Sequence, residues 1–254
     1  MKITLLSTTL ALGCFLSTSV MATTFDANVT SDVIFGSGNV NGGFTVDQSN
    51  GVEIGLRGKL RYDLAGNPQN IFNSNGDGTY TFDPADSVAP ATRSAFNFEW
   101  SINSDFDGTS GFALNDLTYL LSIDYDPTIA IGSTVDFDPI NIPFADHAFG
   151  NNTTGNGAGT QAVNLAGYTA LISGSNLVQN SWNLGFFEPA GFDPQTEGFY
   201  TISLSAFDNG RQVSGTSIGI QFGDVPSPVP LPASLPLLLG AIGGFGLLRR
   251  RKKD

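Results

Sequence analysis

Soft ligands and ready nucleophiles are nearly missing from this chain. Its 254 residues hold one cysteine, Cys14, and one histidine, His147. With a single thiol there is no disulfide framework. With a single histidine there is no HExxH zinc helix, and no phosphate loop of the GxxxxGK[ST] type occurs either. Positive charge is scarce in the body as well. Residues 23–224 carry 22 acidic side chains against 5 basic ones (Arg57, Lys59, Arg61, Arg93 and Arg211), a net charge of −17. Phosphate recognition needs clustered cations, so a nucleic-acid partner is disfavoured. An excess of acid suits solubility outside the cell or divalent-cation binding. No long stretch of helical period precedes the C-terminal tail, and no internal repeat of solenoid or propeller length is present.

What is present is period-two alternation. Val52, Ile54, Leu56, Leu60, Tyr62 and Leu64 alternate with Glu53, Arg57, Lys59, Arg61 and Asp63, the pattern of a strand with one buried and one wet face. Gly58 falls on the apolar phase and is expected to mark a bulge. Similar runs occupy residues 96–102, 200–206 and 218–222. Further strands are expected at 29–35, 79–82, 119–125, 134–140, 168–172 and 181–187. Asn75-Gly76, Asp77-Gly78, Asp107-Gly108 and Asn209-Gly210 supply turns between them. Four Asp-Pro pairs, beginning at Asp83, Asp126, Asp138 and Asp193, are expected to end strands, since proline cannot donate to a ladder and aspartate caps turns. The fold class expected is all-β, an antiparallel β-sandwich at 23–224. The segment 150–160, GNNTTGNGAGT, has almost nothing to bury and reads as a mobile loop, or as a link between two small domains.

The two ends have a different texture. Lys2, the apolar run Ile3 to Leu16 and the small-residue site Val20-Met21-Ala22 describe a secretory signal peptide over 1–22, cleaved after Ala22. Ala11-Leu12-Gly13-Cys14 also has the look of a lipoprotein box, although the apolar run continues past it. Removal of Cys14 with the signal leaves a thiol-free body that must be stabilised by burial. At the other end, residues 225–234 are proline-rich and favour extended polyproline II, a stiff segment open to a processing enzyme. The apolar stretch Leu231 to Leu248 is 18 residues, ~27 Å as a helix against a hydrocarbon core of ~30 Å. A short transmembrane helix is therefore expected at 235–248. The tail 249–254, with Arg249, Arg250, Arg251, Lys252 and Lys253, would stop transfer and stay cytoplasmic, leaving the body outside.

The order of these parts resembles a known sorting signal. Val229-Pro230-Leu231-Pro232-Ala233, followed by an apolar segment and a basic end, is similar to the PEP-CTERM class of Gram-negative bacteria and closest to its VPLPA type. Leu231 stands where the commoner Pro-Glu-Pro form has glutamate. Leu231-Pro232-Ala233-Ser234 lacks the Thr-Gly pair of a sortase box. The resemblance covers about the last tenth of the chain. It implies recognition by an exosortase, a membrane protease or transpeptidase, and an association with exopolysaccharide and biofilm. The implied location is the cell envelope, membrane-anchored before processing and then the outer surface or extracellular matrix.

Within the body the candidates for chemistry are weaker. Asn73, Asn75 and Asp77, with Gly76 and Gly78, match the opening of an EF-hand loop, but the twelfth position is Pro84 instead of a bidentate glutamate. Asp105/Asp107, Asp124/Asp126 and Asp136/Asp138 could each place two carboxylates on one strand face, so calcium stays open as a cofactor and no other is expected. Arg57, Lys59 and Arg61 share a face, which allows a local anion contact but reads more readily as a solvated face or an edge guard. Gly215-Thr216-Ser217-Ile218-Gly219 matches GxSxG formally, yet an alternating strand follows where a nucleophile elbow needs a helix. Only His147, beside Asp146, could serve it. No catalytic residue is assigned. The expected role is a non-enzymatic exported protein, with a calcium-dependent carbohydrate-binding module or carbohydrate-active enzyme as the alternative.

Overall fold

A computed structural model describes residues 23–36, 39–142 and 144–225. The expected signal segment with Ala22, the box Val229–Ala233, the apolar helix 235–248 and the basic run Arg249–Lys253 lie outside the described residues. Among the described residues no helix is long and apolar enough to cross a membrane.

The body is all-β. Its strands are β1 (Thr24–Ala27), β2 (Phe44–Ser49), β3 (Val52–Tyr62), β4 (Pro68–Ile71), β5 (Thr79–Phe82), β6 (Phe96–Asn103), β7 (Thr118–Asp124), β8 (Thr134–Phe137), β9 (Ala148–Gly150), β10 (Leu177–Asn183), β11 (Gly198–Asp208) and β12 (Arg211–Phe222). One sheet has the order β1-β2-β3-β6-β10-β9 with β4 beside β3, and the other has the order β5-β12-β11-β7-β8. Pairing is antiparallel except between β5 and β12. Asn209 and Gly210, both at positive φ, close the β11–β12 hairpin as a two-residue turn must when its twist follows the strands.

The apolar phase of each long strand builds a shared core. Leu56 of β3, Phe96, Phe98 and Trp100 of β6, Leu121 of β7, Leu204 of β11 and Ile220 of β12 are fully or almost fully buried in one cluster that spans the two sheets. Truncating one of the large aromatic side chains here costs about 3–5 kcal/mol. Gly58 marks no bulge: β3 and β6 stay in register through Gly58↔Phe98. A Cβ at that position would stand 3.0 Å from the Cβ and Cγ of Tyr80, so the glycine is there to let the tyrosine ring approach.

The polar phase of β3 differs most from expectation. It is not wet: Glu53, Arg57 and Lys59 are all buried. Residues 28–36 and 39–43, where a strand was expected at 29–35, run instead as an irregular strap across the outer face of the first sheet. Several backbone groups of the strap are satisfied by side chains in place of a ladder, while the carbonyls of Val33 and Ile34 accept from Gly157 N and Gly159 N. Thr30 N donates to Glu53 Oε1 and Ile34 N to Gln179 Oε1, while Gln179 Nε2 donates to Asp32 O and Asn103 Nδ2 to Thr30 O. Val29 and Val33 form a second small core with Phe44 and Val46, and Ile34 packs with Ala148 and Leu177.

Other expectations are corrected in detail. Residues 168–172 belong to a helix, α1 (Leu165–Gly174), whose N-cap Asn164 accepts from Gly167 N. The expected strand 181–187 begins earlier, at Leu177, and ends at Asn183 where a 3-10 turn takes over. The segment 150–160 is a loop but a fastened one. Phe149 bridges Thr160, and Asn156 Nδ2 donates to the Val33 and Asn39 carbonyls of the strap. It separates no two domains, since β9 before it pairs with β10 after it. In each Asp-Pro pair the carboxylate accepts from the N–H two residues on, but Asp193-Pro194 follows no strand.

Candidate functional site

The strongest concentration of chemistry lies where the strap crosses β3 and β6. Arg57 and Glu99 are direct cross-strand neighbours, and Lys59 sits one step along the same face. Arg57 Nε donates to Glu99 Oε2 at 2.6 Å. Its Nη1 donates to the carbonyls of Val40 and Gly42 and its Nη2 to Asn39 Oδ1. Its guanidinium is sandwiched between the rings of Phe44 at 4.1 Å and Phe72 at 3.7 Å, a favourable stack for a desolvated planar cation. Lys59 Nζ pairs with Glu99 Oε1. Both ion pairs found among the described residues are those of Glu99. The solvated-face and edge-guard readings of Arg57 and Lys59 are thereby overturned: β3 is an interior strand, and the strap covers these side chains.

Burial alone would raise the Glu99 pKa, but Arg57 and Lys59 together outweigh it and hold the carboxyl below its ordinary value of 4.5. Burial lowers both cations, against the attraction of Glu99. Glu53, two strand steps from this cluster, has no cation. Burial raises its pKa against hydrogen bonds from Thr30 and Gln48.

Beside this cluster a polar pocket of about 420 Å³ opens between the strap and the ends of β3, β4, β6 and β10, lined in part by Lys59, Arg61, Asn70, Asn97 and Ser181. A second basin of about 500 Å³ lies among the loops that hold Asp105, Asn151, Asn152 and Asn176. There the polar groups are engaged with one another. Asn152 Oδ1 accepts from both Asn103 and Asn176, and Asp105 Oδ1 accepts from Ser110 N and Gly111 N.

The other sequence candidates do not assemble into a site. Asn75 Nδ2 donates to Thr79 and Thr81 hydroxyls, Asp77 Oδ1 accepts from Thr79 N and Oγ1, and Asn73 Nδ2 contacts the Thr81 carbonyl. These are the bonds of the turn leading into β5, and they use the amide nitrogens of Asn73 and Asn75 and one carboxylate oxygen of Asp77. Asp107 binds Thr109, and Asp138 caps Ile140 and Asn141 while accepting from Tyr119 N. Asp124 Oδ1 accepts from Asp126 N and Gly132 N. Among the described residues no three His, Cys, Asp or Glu side chains are grouped to hold a metal ion.

His147 is a core residue. It is fully buried with its ring against Trp100, Trp182 and Tyr168. Nε2 faces the Pro139 carbonyl at 2.8 Å and must donate. Nδ1 faces Asn180 Nδ2 at 3.0 Å and must accept. The neutral Nε2–H tautomer is thus fixed from both sides, and burial lowers its pKa to about 4, against the bond to Pro139. Ser217 of the GxSxG match lies in the middle of β12 and bonds the Ser203 hydroxyl. No nucleophile elbow forms there.

The sequence signalled the cations of the site but not their enclosure. Arg57, Lys59 and Arg61 were visible as a triplet, whereas Glu99, Asn39 and the two phenylalanines come from separate parts of the chain, with no local signal that joins them. No family model matches this chain, no curated protein matches it, and no solved structure matches it.

Proposed function

We propose that the protein is an exported, non-enzymatic component of the cell surface or extracellular matrix, sorted by an exosortase-type system and working among exopolysaccharide. The observation that carries this reading is the order of the C-terminal parts: the Val229–Ala233 box, a short apolar stretch and the run Arg249 to Lys253. An N-terminal segment with the composition of a signal peptide supports the same route. The body is compatible with life outside the cell. It has no cysteine to oxidise, a strongly acidic balance and a core that spans both sheets. A non-enzymatic role is supported by the one histidine, whose two ring nitrogens are both engaged in the core. The membrane helix at 235–248 and the exosortase partner are parts of this proposal.

The test is tail processing in the native host. Replacing Pro230 and Pro232 together by Ala should leave the tail on the exported chain, because closely spaced prolines favour an extended form that a processing enzyme can grip. Normal removal of the tail from that variant would overturn the sorting reading.

A further inference from the structure

We propose that the pocket beside Lys59 and Arg61 binds an acidic sugar, with a uronate carboxylate held by Arg61 and favoured by the buried charge of Lys59 behind it. This deepens the matrix reading by naming the class of polysaccharide, and it rests on that reading only for where the ligand would be met.

Charge around Lys59 is out of balance. Three of the body's five cations, Arg57, Lys59 and Arg61, stand on one face of β3. The charges that act on Lys59 are Glu99, Arg61 and Arg57: three cations and one carboxylate, a local net charge of +2. Both oxygens of Glu99 are already engaged, Oε2 by Arg57 and Oε1 by Lys59 and Asn39. Arg61 is half-buried and makes no ion pair among the described residues, although the body carries 22 acidic side chains. A positive cluster left unbalanced in a partly desolvated place favours an anion.

The pocket provides the place. None of its nine lining residues is acidic, and Lys59 and Arg61 both belong to its wall. Its size of about 420 Å³ falls within the range of about 300–1,000 Å³ typical of small-ligand sites. The remaining polar wall groups are neutral: Asn39 and Asn97 are engaged within the wall, which leaves the Asn70 amide and the Ser181 hydroxyl proton to exchange hydrogen bonds with sugar hydroxyls. Phe35 adds an apolar surface for the face of a pyranose ring. A planar guanidinium matches a carboxylate in a two-point contact. The negative charge of the rest of the body does not prevent this approach, because at physiological salt charges beyond about 8 Å are largely screened.

The test uses the full chain in mild detergent, titrated by calorimetry with short oligomers of glucuronate, with neutral glucose oligomers of equal length and with inorganic sulfate. Glucuronate oligomers should bind, and raised salt should weaken them. The neutral oligomers and sulfate should each bind about tenfold more weakly or worse. Arg61→Gln should lose about tenfold or more of the glucuronate affinity, while Arg93→Gln, at an arginine outside the pocket, should change nothing. An unchanged melting temperature for Arg61→Gln confirms that the loss is local, and Arg61→Lys should recover part of it. Equal binding by the wild type and Arg61→Gln, equal affinity for neutral oligomers, sulfate binding as tight as glucuronate, or no binding at all would each overturn the proposal. A chain that binds no glycan but is exported and trimmed removes this inference and leaves the proposed function standing. A chain that binds glucuronate but stays in the cytosol does the reverse.

Discussion

Replacing Glu99 by Gln preserves shape and removes one charge, and it should be among the most destabilising single changes in the molecule. Glu99 and Arg57 are fully buried and Lys59 is 4% exposed, so the two cations would be left facing each other away from water. Breaking a buried ion pair by removing one partner costs about 3–5 kcal/mol. For a body of this size each kcal/mol moves the melting temperature by about 2–4 °C, giving a fall of about 6–20 °C. Thermal unfolding followed by the fluorescence of Trp100 and Trp182, both in the shared core, measures it. Changing Arg57 to Met as well should recover part of the loss, because the excess charge then falls. Recovery is incomplete because the carbonyls of Val40 and Gly42 lose their donor. The pH dependence has a definite sign. The folded pKa of Glu99 lies below its ordinary value of 4.5. Its stabilisation is therefore fully present above that value and is lost as pH falls through the lower folded pKa. A loss under about 1 kcal/mol for Glu99→Gln would refute the claim that this cluster is a closed, desolvated one.

Three more predictions test other parts of the account. The His147 ring should show no titration in NMR between about pH 8 and pH 5.5, since its folded pKa is about 4 against an ordinary 6.5. Because that pKa is lowered, its neutral form stabilises the fold above about pH 6.5, and about 3 kcal/mol is lost as pH falls toward 4. A ring that titrates near 6.5 would place it at the surface. Gly58→Ala should cost about 1–3 kcal/mol in chemical denaturation because its methyl group crowds Tyr80, and an unchanged midpoint would show that the ring can move aside. Asn164→Ala should cost about 1 kcal/mol through the lost cap of α1, and a stability equal to the wild type would show that the cap contributes nothing.

The parts of the fold legible in the sequence are those in which one face is apolar throughout. β3, β6, β11 and the later part of β12 each advertise their inner face every second residue, and Asn209-Gly210 identifies the hairpin joining the last two. β2, Phe44–Ser49, escapes notice because only Phe44 and Val46 of it are apolar and they face outward, under the strap, while Thr45 and Asp47 face inward and bond Tyr80 and Ser214; two alternations are too few to stand out as a strand. The strap imitates a strand for a related reason. Val29 and Val33 are apolar because they cover the first sheet, while their backbone bonds go to Asn41 and Asp32 side chains. The helix α1 carries glycines and a threonine, poor helix formers, and its best signal is the cap at Asn164. For the candidate site, the spacing of Arg57, Lys59 and Arg61 reveals a shared face but not what covers it. Cover for Arg57 is supplied by Asn39, Val40 and Gly42, 15 to 18 positions earlier in the chain, and by Phe72, which follows it, and no local pattern records this.

The central claim is that this chain leaves the cytosol and is handled at its C-terminal box, and intact-mass analysis of the native protein in each cell fraction tests it most directly. The account predicts a species in the envelope or medium that begins at Thr23 and has lost the residues beyond the Val229–Ala233 box. Full-length protein from Met1 to Asp254, confined to the cytosol, would contradict it.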